Sequence, residues 1–315
     1  MISTREAYGQ ALASLGDKYQ FHVFDADLSK ATQTVVFAQK YPQRFTDMGI
    51  AEANMICQAS GYAACGGTAV CSSFAMFTAG RAYEQIRNSV AYPHLNVKIA
   101  ATHGGVLIGA DGGSHQCIED IALMRAIPGM VVLVPADEFE TQLCLEAALQ
   151  YNGPVYLRFG RLPTPQVYEK KESCQFAFGR GSVLRDGQDV TLIGIGDMVS
   201  RCLQAHKRLL RAGIHAAVID MASVKPIDSD LIEAYAKKTG CIVTAEDHNV
   251  IGGLAEAVSG VLARRGWAPL EAVGIQDVFG RSGDTEDLAH YYHLTEEDIC
   301  SAAQKAMNRK QMGRG

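Results

Sequence analysis

Two histidines and an aspartate lie in glycine-rich stretches that could bring acid–base chemistry to a ligand. Residues 102–105 read THGG and include His103, while residues 109–120 read GADGGSHQCIED and include Asp111 and His115. Histidine gains or loses a proton near neutral pH, and an aspartate can hold a hydroxyl or orient an imidazole. Glycines let backbone and side chains approach a ligand closely. The pattern leaves a small polar substrate open, beside the ordinary alternatives of a solvated loop histidine and a turn aspartate.

A single carboxylate and a pair of phenylalanines form a second group of candidates. Glu52 lies in MGIAEANM, residues 48–55, among small and apolar neighbours. A carboxyl kept away from water can hold or share a proton at neutral pH. Phe74 and Phe77 in FAMF are three residues apart at a predicted helix start, a spacing that ordinarily indicates core packing. The residue types alone leave both interpretations of the two phenylalanines open.

Short β-rich runs alternate with longer helical segments along the chain. The first half predicts strands at 21–27, 68–74, 96–102, 130–137 and 155–159 and helices at 54–66, 76–91 and 137–151. The second half predicts strands at 189–196, 215–221, 241–248 and 270–275 and helices at 198–212, 229–239 and 252–265. Apolar strands separated by helices predict an α/β fold with parallel sheets covered on both faces. Loops at the strand ends of such sheets converge on a crevice, where we expect the candidate residues.

The chain of 315 residues is long enough for two domains. The stretch GRLPTPQVYEKKESCQF combines prolines with a charged run, which suits an exposed connector better than a core element. We predict a first domain at 1–165, a linker at 166–185 and a second domain at 186–315. All the candidates above lie in the first domain.

Composition excludes several classes of partner. A net charge of −5, spread along the chain, argues against nucleic-acid and membrane-surface partners held by electrostatics. Nine scattered cysteines without a C-x-x-C pair predict reduced core residues rather than a disulfide framework or a zinc site. The N-terminus lacks a basic region followed by an apolar one, and no run of eighteen apolar residues occurs. We therefore expect a cytoplasmic protein.

Six segments, in order, resemble the thiamine-diphosphate enzymes of the transketolase family: STRE, ADLS, MGIAEANM, FAMF, THGG and GADGGSHQ. The resemblance implies that 1–165 is the pyrimidine-binding domain and 186–315 the transketolase C-terminal domain. It also implies transfer of a two-carbon ketol unit from a ketose, expected to be a sugar phosphate, to an aldose. The alternatives are 1-deoxyxylulose-5-phosphate synthase, the β subunit of a 2-oxoacid dehydrogenase, and a regulatory subunit without catalysis.

The resemblance also assigns roles to individual residues. By this resemblance five residues would face the cofactor, with Glu52 at N1′ of the aminopyrimidine and the others around it: Phe74, Phe77, Ile50 and Asp27. His103 and His115 would bind donor oxygens and assist proton transfer. The remaining substrate contacts would be Asp111 at a hydroxyl and two arginines at a terminal phosphate, Arg5 and Arg158, with Arg161 competing for the Arg158 contact.

One family feature has no counterpart in the sequence. Family members hold the cofactor diphosphate and a divalent metal with a G-D-G motif and a downstream asparagine, and this chain contains no G-D-G triplet. The resemblance therefore implies a separate N-terminal transketolase subunit that supplies the diphosphate site and holds Mg²⁺ or Ca²⁺. We expect no metal ligand in this chain, and a homodimeric core within an α2β2 assembly.

Overall fold

The fold contains two α/β domains, each built on one sheet with helices packed on its faces. The computed structural model describes residues 1–266 and 268–312, so the last three positions of the predicted second domain lie outside the described residues. The first sheet has seven strands and the second has five. The predicted α/β class, with two largely parallel sheets, is confirmed.

Six strands of the first sheet come from the first half of the chain: β1 (His22–Asp25), β2 (Phe45–Asp47), β3 (Ala69–Phe74), β4 (Val97–Thr102), β5 (Val131–Leu133) and β6 (Val155–Phe159). They lie in the order β5-β6-β4-β3-β1-β2 and all pair in parallel. Strands β3, β4 and β6 are buried along their whole length. This burial explains their continuous apolar runs, because helices cover both faces of a parallel sheet.

The first half of the chain forms seven α-helices and one short 3₁₀ turn: α1 (Thr4–Leu15), α2 (Ser29–Thr32), α3 (Val35–Lys40), the turn Pro42–Arg44, α4 (Glu52–Ala64), α5 (Tyr83–Gln85), α6 (Asp120–Ala126) and α7 (Glu138–Gln150). The sequence prediction contains no helix before residue 54. However, STRE carries a capping box that begins α1: Ser3 Oγ accepts from the Glu6 N–H, and Glu6 Oε2 accepts from the Ser3 N–H at 2.8 Å.

The segment at 76–91 departs from the single helix that the sequence predicts. It forms π-helical turns at Met76–Arg81 and Ile86–Ala91, on either side of α5. Thr78 Oγ1 donates to the carbonyl oxygen of Phe74 at 3.1 Å and so competes with the regular helical ladder. Such wide turns occur often at functional sites, and this one follows directly on the end of β3.

The second half of the chain forms β7 (Ser182–Arg185), β8 (Val190–Gly194), β9 (Ala216–Asp220), β10 (Ser223–Lys225), β11 (Ile242–Asn249) and β12 (Leu270–Ile275). Its helical elements are the 3₁₀ turn Lys171–Ser173, α8 (Met198–Arg211), α9 (Ser229–Thr239), α10 (Leu254–Arg265), α11 (Thr285–Tyr291) and α12 (Glu296–Met312). The second sheet has the order β12-β11-β8-β9-β7, parallel except for β7.

The structure bears on the predicted division of the chain at two points. The predicted linker at 166–185 is too long, because residues 182–185 form β7, an antiparallel edge strand against β9. Within the predicted second domain at 186–315, β10 pairs antiparallel with β5 and so completes the first sheet. A four-residue edge strand with alternating exposure and a three-residue strand give no continuous apolar run by which to recognise them.

Cysteine burial and helix hydropathy bear on the compositional predictions. Six of the nine cysteines are buried, whereas Cys57 and Cys65 are exposed on and after α4, so the prediction that they are core residues is wrong for these two. No helix within residues 1–266 and 268–312 is both long enough and apolar enough to cross a membrane.

Candidate active site

The carboxyl ends of the first-sheet strands place most of the candidates at one edge of the sheet. Phe74 is the last residue of β3, His103 directly follows β4, and Asp27 lies two residues after β1. Asp27 and His103 both adopt a left-handed backbone, with φ of 63° and 60°. Residues other than glycine rarely take this conformation unless the surroundings hold them there, and such residues cluster at functional sites.

Glu52 is the first residue of α4, and its side chain is buried. Its Oε2 accepts a hydrogen bond from Arg81 Nη1 at 2.7 Å. Arg81 ends the first π-helical segment, is half exposed, and holds its guanidinium 4.7 Å from the centre of the Phe77 ring. The sequence interpretation missed Arg81. Its position four residues after Phe77 is the signal that could have revealed it, since such residues share a helix face.

Four predicted rings form one cluster. The rings of Phe74 and Phe77 are stacked with centroids 5.7 Å apart, and the His103 ring stacks on Phe74 at 3.7 Å. His115 meets the Phe77 ring edge-on at 5.3 Å. Together with Arg81, these contacts place a buried carboxylate, an aromatic wall and two imidazoles in one cleft. Phe74 and Phe77 are thus part of a polar cleft as well as of the packing.

His103 is nearly inaccessible to solvent, and its Nδ1 lies 2.8 Å from Thr102 Oγ1. Burial lowers the pKa of the imidazole to about 3, and the positive charges of Arg5 and Arg161 and the neighbouring His115 act in the same direction. A histidine with this pKa is neutral at pH 7. It can therefore accept a hydrogen bond from a hydroxyl without carrying charge.

The loop at 103–117 carries Asp111, which lies near Arg161, and His115, which lies against the phenylalanine rings. His115 is half-buried, with Nδ1 3.0 Å from Ser114 Oγ. Asp111 Oδ2 lies 3.7 Å from Arg161 Nε, and Arg161 Nη1 donates to the Ile108 carbonyl at 2.6 Å. The loop therefore presents one carboxylate beside a partly exposed guanidinium and one imidazole at the aromatic wall.

The geometry does not favour the predicted phosphate contact of Arg158, because the structure buries this side chain. Arg158 is buried: its Nε donates to Asp120 at 2.9 Å, and its Nη2 donates to the Cys117 and Asp247 carbonyls at 3.3 and 2.8 Å. These partners engage Nε and Nη2 inside the protein, and burial leaves little of the Arg158 side chain open to a ligand in the cleft. Arg161, the competing residue, occupies the exposed position instead.

Arg5 lies next to Arg161. Its Nε donates to the Arg161 carbonyl at 2.9 Å and its Nη1 to the Ala31 carbonyl at 2.8 Å. Burial, followed by the charge of Arg161, lowers the pKa of Arg5 from its usual range. Two guanidiniums with Asp111 as a nearby counter-charge form a cationic corner that suits a terminal anion.

Ile50 and Asp27 lie at the rim of the site. Ile50 is 76% exposed, two residues before Glu52, and Asp27 is exposed, with its N–H donating to Asp47 Oδ1 at 3.0 Å. Their cofactor contacts stay predictions. Within residues 1–266 and 268–312, no group of three or more His, Cys, Asp or Glu side chains could hold a metal ion.

Family models account for most of the chain. The model described as transketolase, pyrimidine binding domain, matches residues 1–166, and the transketolase C-terminal domain model matches residues 179–299. The chain belongs to the transketolase family. Members of this family depend on thiamine diphosphate. The recognition of the family and of its C-terminal half from six short segments is confirmed.

Individual relatives sharpen this assignment. The chain is 47% identical over 308 residues to a putative transketolase C-terminal section of Methanocaldococcus jannaschii, covering 97% of this chain and 96% of the relative. It is 40% identical to the 6-deoxy-6-sulfo-D-fructose transketolase subunit SqwH of a Clostridium species, covering 91% and 88%. A solved structure described as a split gene transketolase, inactive β4 tetramer, superposes with a TM-score of 0.90 at 48% identity, covering 98% and 99%.

A full-length enzyme shows how the chain relates to longer family members. It matches transketolase from Leishmania mexicana with a TM-score of 0.81 at 24% identity, covering 98% of this chain but 46% of that one. At this identity the likeness shows the fold alone. This chain has the fold of about half of the longer enzyme.

The cleft fits one end of thiamine diphosphate. The aminopyrimidine is a flat ring that carries both acceptor and donor nitrogens, and Phe74 and Phe77 provide a flat apolar wall for such a ring. The buried Glu52 carboxylate, already bonded to a nitrogen donor of Arg81, offers a partner for a ring nitrogen. The side chains of this chain therefore suit the pyrimidine end of the cofactor.

Proposed function

We propose that this chain is the C-terminal subunit of a split transketolase that transfers a two-carbon ketol unit from a ketose to an aldose. The observation that carries the proposal is the single cleft in which a buried carboxylate and an aromatic wall adjoin two imidazoles and a cationic corner. The first two features suit the cofactor, and the last two suit a polyhydroxy substrate with a terminal anion. A relative is described as a 6-deoxy-6-sulfo-D-fructose transketolase subunit, which agrees with such a substrate.

Glu52, Phe74 and Phe77 would hold the pyrimidine ring of thiamine diphosphate. When bound, this cofactor supplies the electron sink that lets a carbon–carbon bond next to a carbonyl break. With the cofactor bound, Glu52 would hold or release a proton at the ring nitrogen, away from water, and the two phenylalanines would fix the plane of the ring. Ile50 and Asp27 would contact the cofactor at the rim.

The substrate residues fall into two groups. His103 is neutral and buried, so it accepts a hydrogen bond from a donor hydroxyl, and His115 exchanges a proton with a substrate oxygen. Asp111 accepts a hydrogen bond from a substrate hydroxyl. Arg161 and Arg5 form the corner for a terminal phosphate or a similar anion, in place of Arg158.

A partner chain would complete the site. It would carry the G-D-G motif, bind the cofactor diphosphate and hold Mg²⁺ or Ca²⁺. Two copies of this chain would form the core of an α2β2 assembly. The similar split-gene protein is described as an inactive β4 tetramer, which supports both self-association and inactivity without a partner.

Ketol transfer by the reconstituted pair is the direct test. We expect this chain alone, and the partner alone, to give no transfer from fructose 6-phosphate or hydroxypyruvate to an aldose phosphate with thiamine diphosphate and Mg²⁺. The mixture should be active. No transfer by the mixture from any of a panel of ketose phosphates would argue against the proposal.

The role of Glu52 has its own test. In the reconstituted pair, Glu52→Ala should abolish transfer, and Glu52→Gln should lower kcat by about 10²–10⁴-fold, the usual contribution of one positioned proton-transfer group. The control is Glu233→Gln, which changes a glutamate paired with Lys237 at 2.6 Å in the second domain. Wild-type rates in a folded Glu52→Gln variant would contradict the assigned role.

A second candidate reaction has specific support. The chain is 36% identical over 303 residues to 1-deoxy-D-xylulose-5-phosphate synthase of Desulfitobacterium hafniense, of which it covers 48%. Consumption of pyruvate with glyceraldehyde 3-phosphate by the reconstituted pair would favour that reaction. Consumption of a ketose phosphate without use of pyruvate would favour ketol transfer.

A further inference from the structure

The second domain contacts the loop at 103–117 through one buried carboxylate. Asp247 lies on β11 and is 5% exposed. Its Oδ1 accepts a hydrogen bond from the Val106 N–H at 2.9 Å, and its Oδ2 accepts from the Leu107 N–H at 3.0 Å. Both oxygens of a second-domain residue are thus used to hold the backbone that directly follows His103 and Gly104–Gly105.

Asp247 approaches this backbone so closely that only glycine fits at position 105. A Cβ atom added to Gly105, whose φ is +86°, would overlap the Asp247 carboxylate. A Cβ on Gly104 would overlap the Arg158 guanidinium, which itself donates to the Asp247 carbonyl at 2.8 Å. The two glycines of THGG therefore serve the contact with the second domain as well as the cleft.

The far end of the same loop is also held by the second domain. Gln116 Nε2 donates to the Arg281 carbonyl at 2.9 Å and to the Val106 carbonyl at 3.2 Å. Gly113 lies against Gly280 so closely that a Cβ would overlap the Gly280 backbone. Asp111 and His115 are therefore carried on a loop that is anchored at both ends by residues outside its own domain.

We propose that Asp247 is a positioning residue, which fixes the loop at 103–117 so that His103, Asp111 and His115 meet the substrate in one geometry. The inference rests on the proposed substrate roles of those three side chains. A carboxylate suits the task because both of its oxygens accept and neither donates, so it can satisfy two backbone N–H groups at once. Burial makes each of these hydrogen bonds costly to lose.

The test compares two aspartate-to-asparagine variants in the reconstituted pair. Asp247→Asn keeps the shape but turns an amide nitrogen towards one of the two N–H donors. The matched control is Asp228→Asn: Asp228 is also 5% exposed, and it accepts from Gly181 N–H at 3.1 Å and Leu231 N–H at 3.0 Å within the second half of the chain.

We expect Asp247→Asn to raise the KM for fructose 6-phosphate about tenfold or more. Loss of one hydrogen bond to a charged group changes an equilibrium constant by about a factor of ten or more. The Kd for thiamine diphosphate should stay within about twofold, because Glu52, Phe74 and Phe77 are held by other elements. Asp228→Asn should leave the sugar KM unchanged. An equal rise of KM in both variants, or an equal loss of cofactor and sugar affinity in Asp247→Asn, would overturn the inference.

Amide hydrogen exchange separates this inference from the proposed function. In Asp247→Asn the Val106 and Leu107 amides should exchange about tenfold faster than in the wild type, because the lost hydrogen bond makes local opening of this backbone about tenfold more frequent. Unchanged exchange would overturn the positioning role even in an enzyme with another substrate. If Asp247→Asn fails to fold, Gln116→Met removes the Arg281 anchor instead, and an unchanged sugar KM there would count against the anchored loop.

Discussion

Arg81 contacts the same two side chains, Glu52 and Phe77, that are proposed to bind the cofactor ring. Its flat guanidinium lies over Phe77 and donates to Glu52, the two kinds of contact that an aminopyrimidine ring would make. We expect Arg81→Met to tighten thiamine diphosphate binding a few-fold, because a half-exposed ion pair contributes about 1 kcal/mol or less. Calorimetric titration of the reconstituted pair measures the Kd. Arg87→Met, at an exposed arginine in the same segment, is the control, and weaker binding in Arg81→Met would contradict the expectation.

His103 makes a prediction about stability and pH. Its pKa of about 3 in the folded state lies below the usual value of 6.5, so the unfolded chain takes up the proton first. The contribution of the neutral histidine is therefore complete above pH 6.5 and is lost progressively as the pH falls towards 3. Urea unfolding at several pH values should show that the free energy of unfolding falls less between pH 6.5 and 3 in His103→Gln than in the wild type. His290→Gln, at an exposed histidine of α11, should follow the wild type.

The sequence was sufficient to locate the cleft at the scale of single residues but not to choose its arginine. Glu52, Phe74 and His103 stand in short segments at strand or helix ends, which the order of motifs identifies. Arg158 and Arg161 are three residues apart, and burial separates them. That burial depends on Asp120, which is remote in sequence and becomes a neighbour of Arg158 only through the packing of α6 on the sheet.

At the scale of elements, the loop after β4 needs glycine for two separate reasons. Gly105 has a φ of +86° and faces Asp247, whereas Gly66, after α4, has a φ of +92° with no atom within 4 Å of an added Cβ. Gly66→Ala should therefore destabilise the fold by about 1–2 kcal/mol, the backbone cost alone. Gly105→Ala should cost about 1–3 kcal/mol more, from the overlap. Urea denaturation gives both values, and equal losses would refute the contact.

The elements that the sequence revealed are those with enough apolar residues to show a period. Strands β3, β4 and β6 are buried throughout and were predicted to within one residue at each end. The two short strands at sheet edges lack such a run, and the π-helical turns at 76–91 depend on a local competition for carbonyl oxygens that hydrophobic period does not encode. The start of α1 could have been predicted from its capping box alone.

At the scale of the whole molecule, a buried acidic contact joins the two domains. Asp220, at the end of β9, lies with Glu140 of α7 and near Asp137, and Tyr168 Oη donates to its Oδ2 at 2.9 Å. Burial raises the pKa of Asp220 to about 7, and burial together with Asp220 raises that of Glu140. A carboxyl with a raised folded pKa stabilises the protein fully below its unfolded pKa, and the contribution is lost as the pH rises through about 7.

This contact predicts a stability difference that changes with pH. Relative to Asp220→Asn, the wild type should lose stability between about pH 4 and 7, because the asparagine does not ionise. Thermal unfolding of both proteins across this range measures the difference. Asp277→Asn, at an exposed aspartate, should run parallel to the wild type. A constant offset between Asp220→Asn and the wild type would show that the carboxyl does not titrate in this range.

The short strand β10 has a mechanical consequence. β10 is continuous with the second domain but is hydrogen-bonded to β5 of the first sheet. Lys225 Nζ also donates to the carbonyls of Arg125 and Ile127. A hinge opening between the two domains would therefore have to break these hydrogen bonds. This pairing therefore opposes a relative displacement of the two sheets. The second domain thus supplies an edge strand to the sheet whose strand ends carry the cleft.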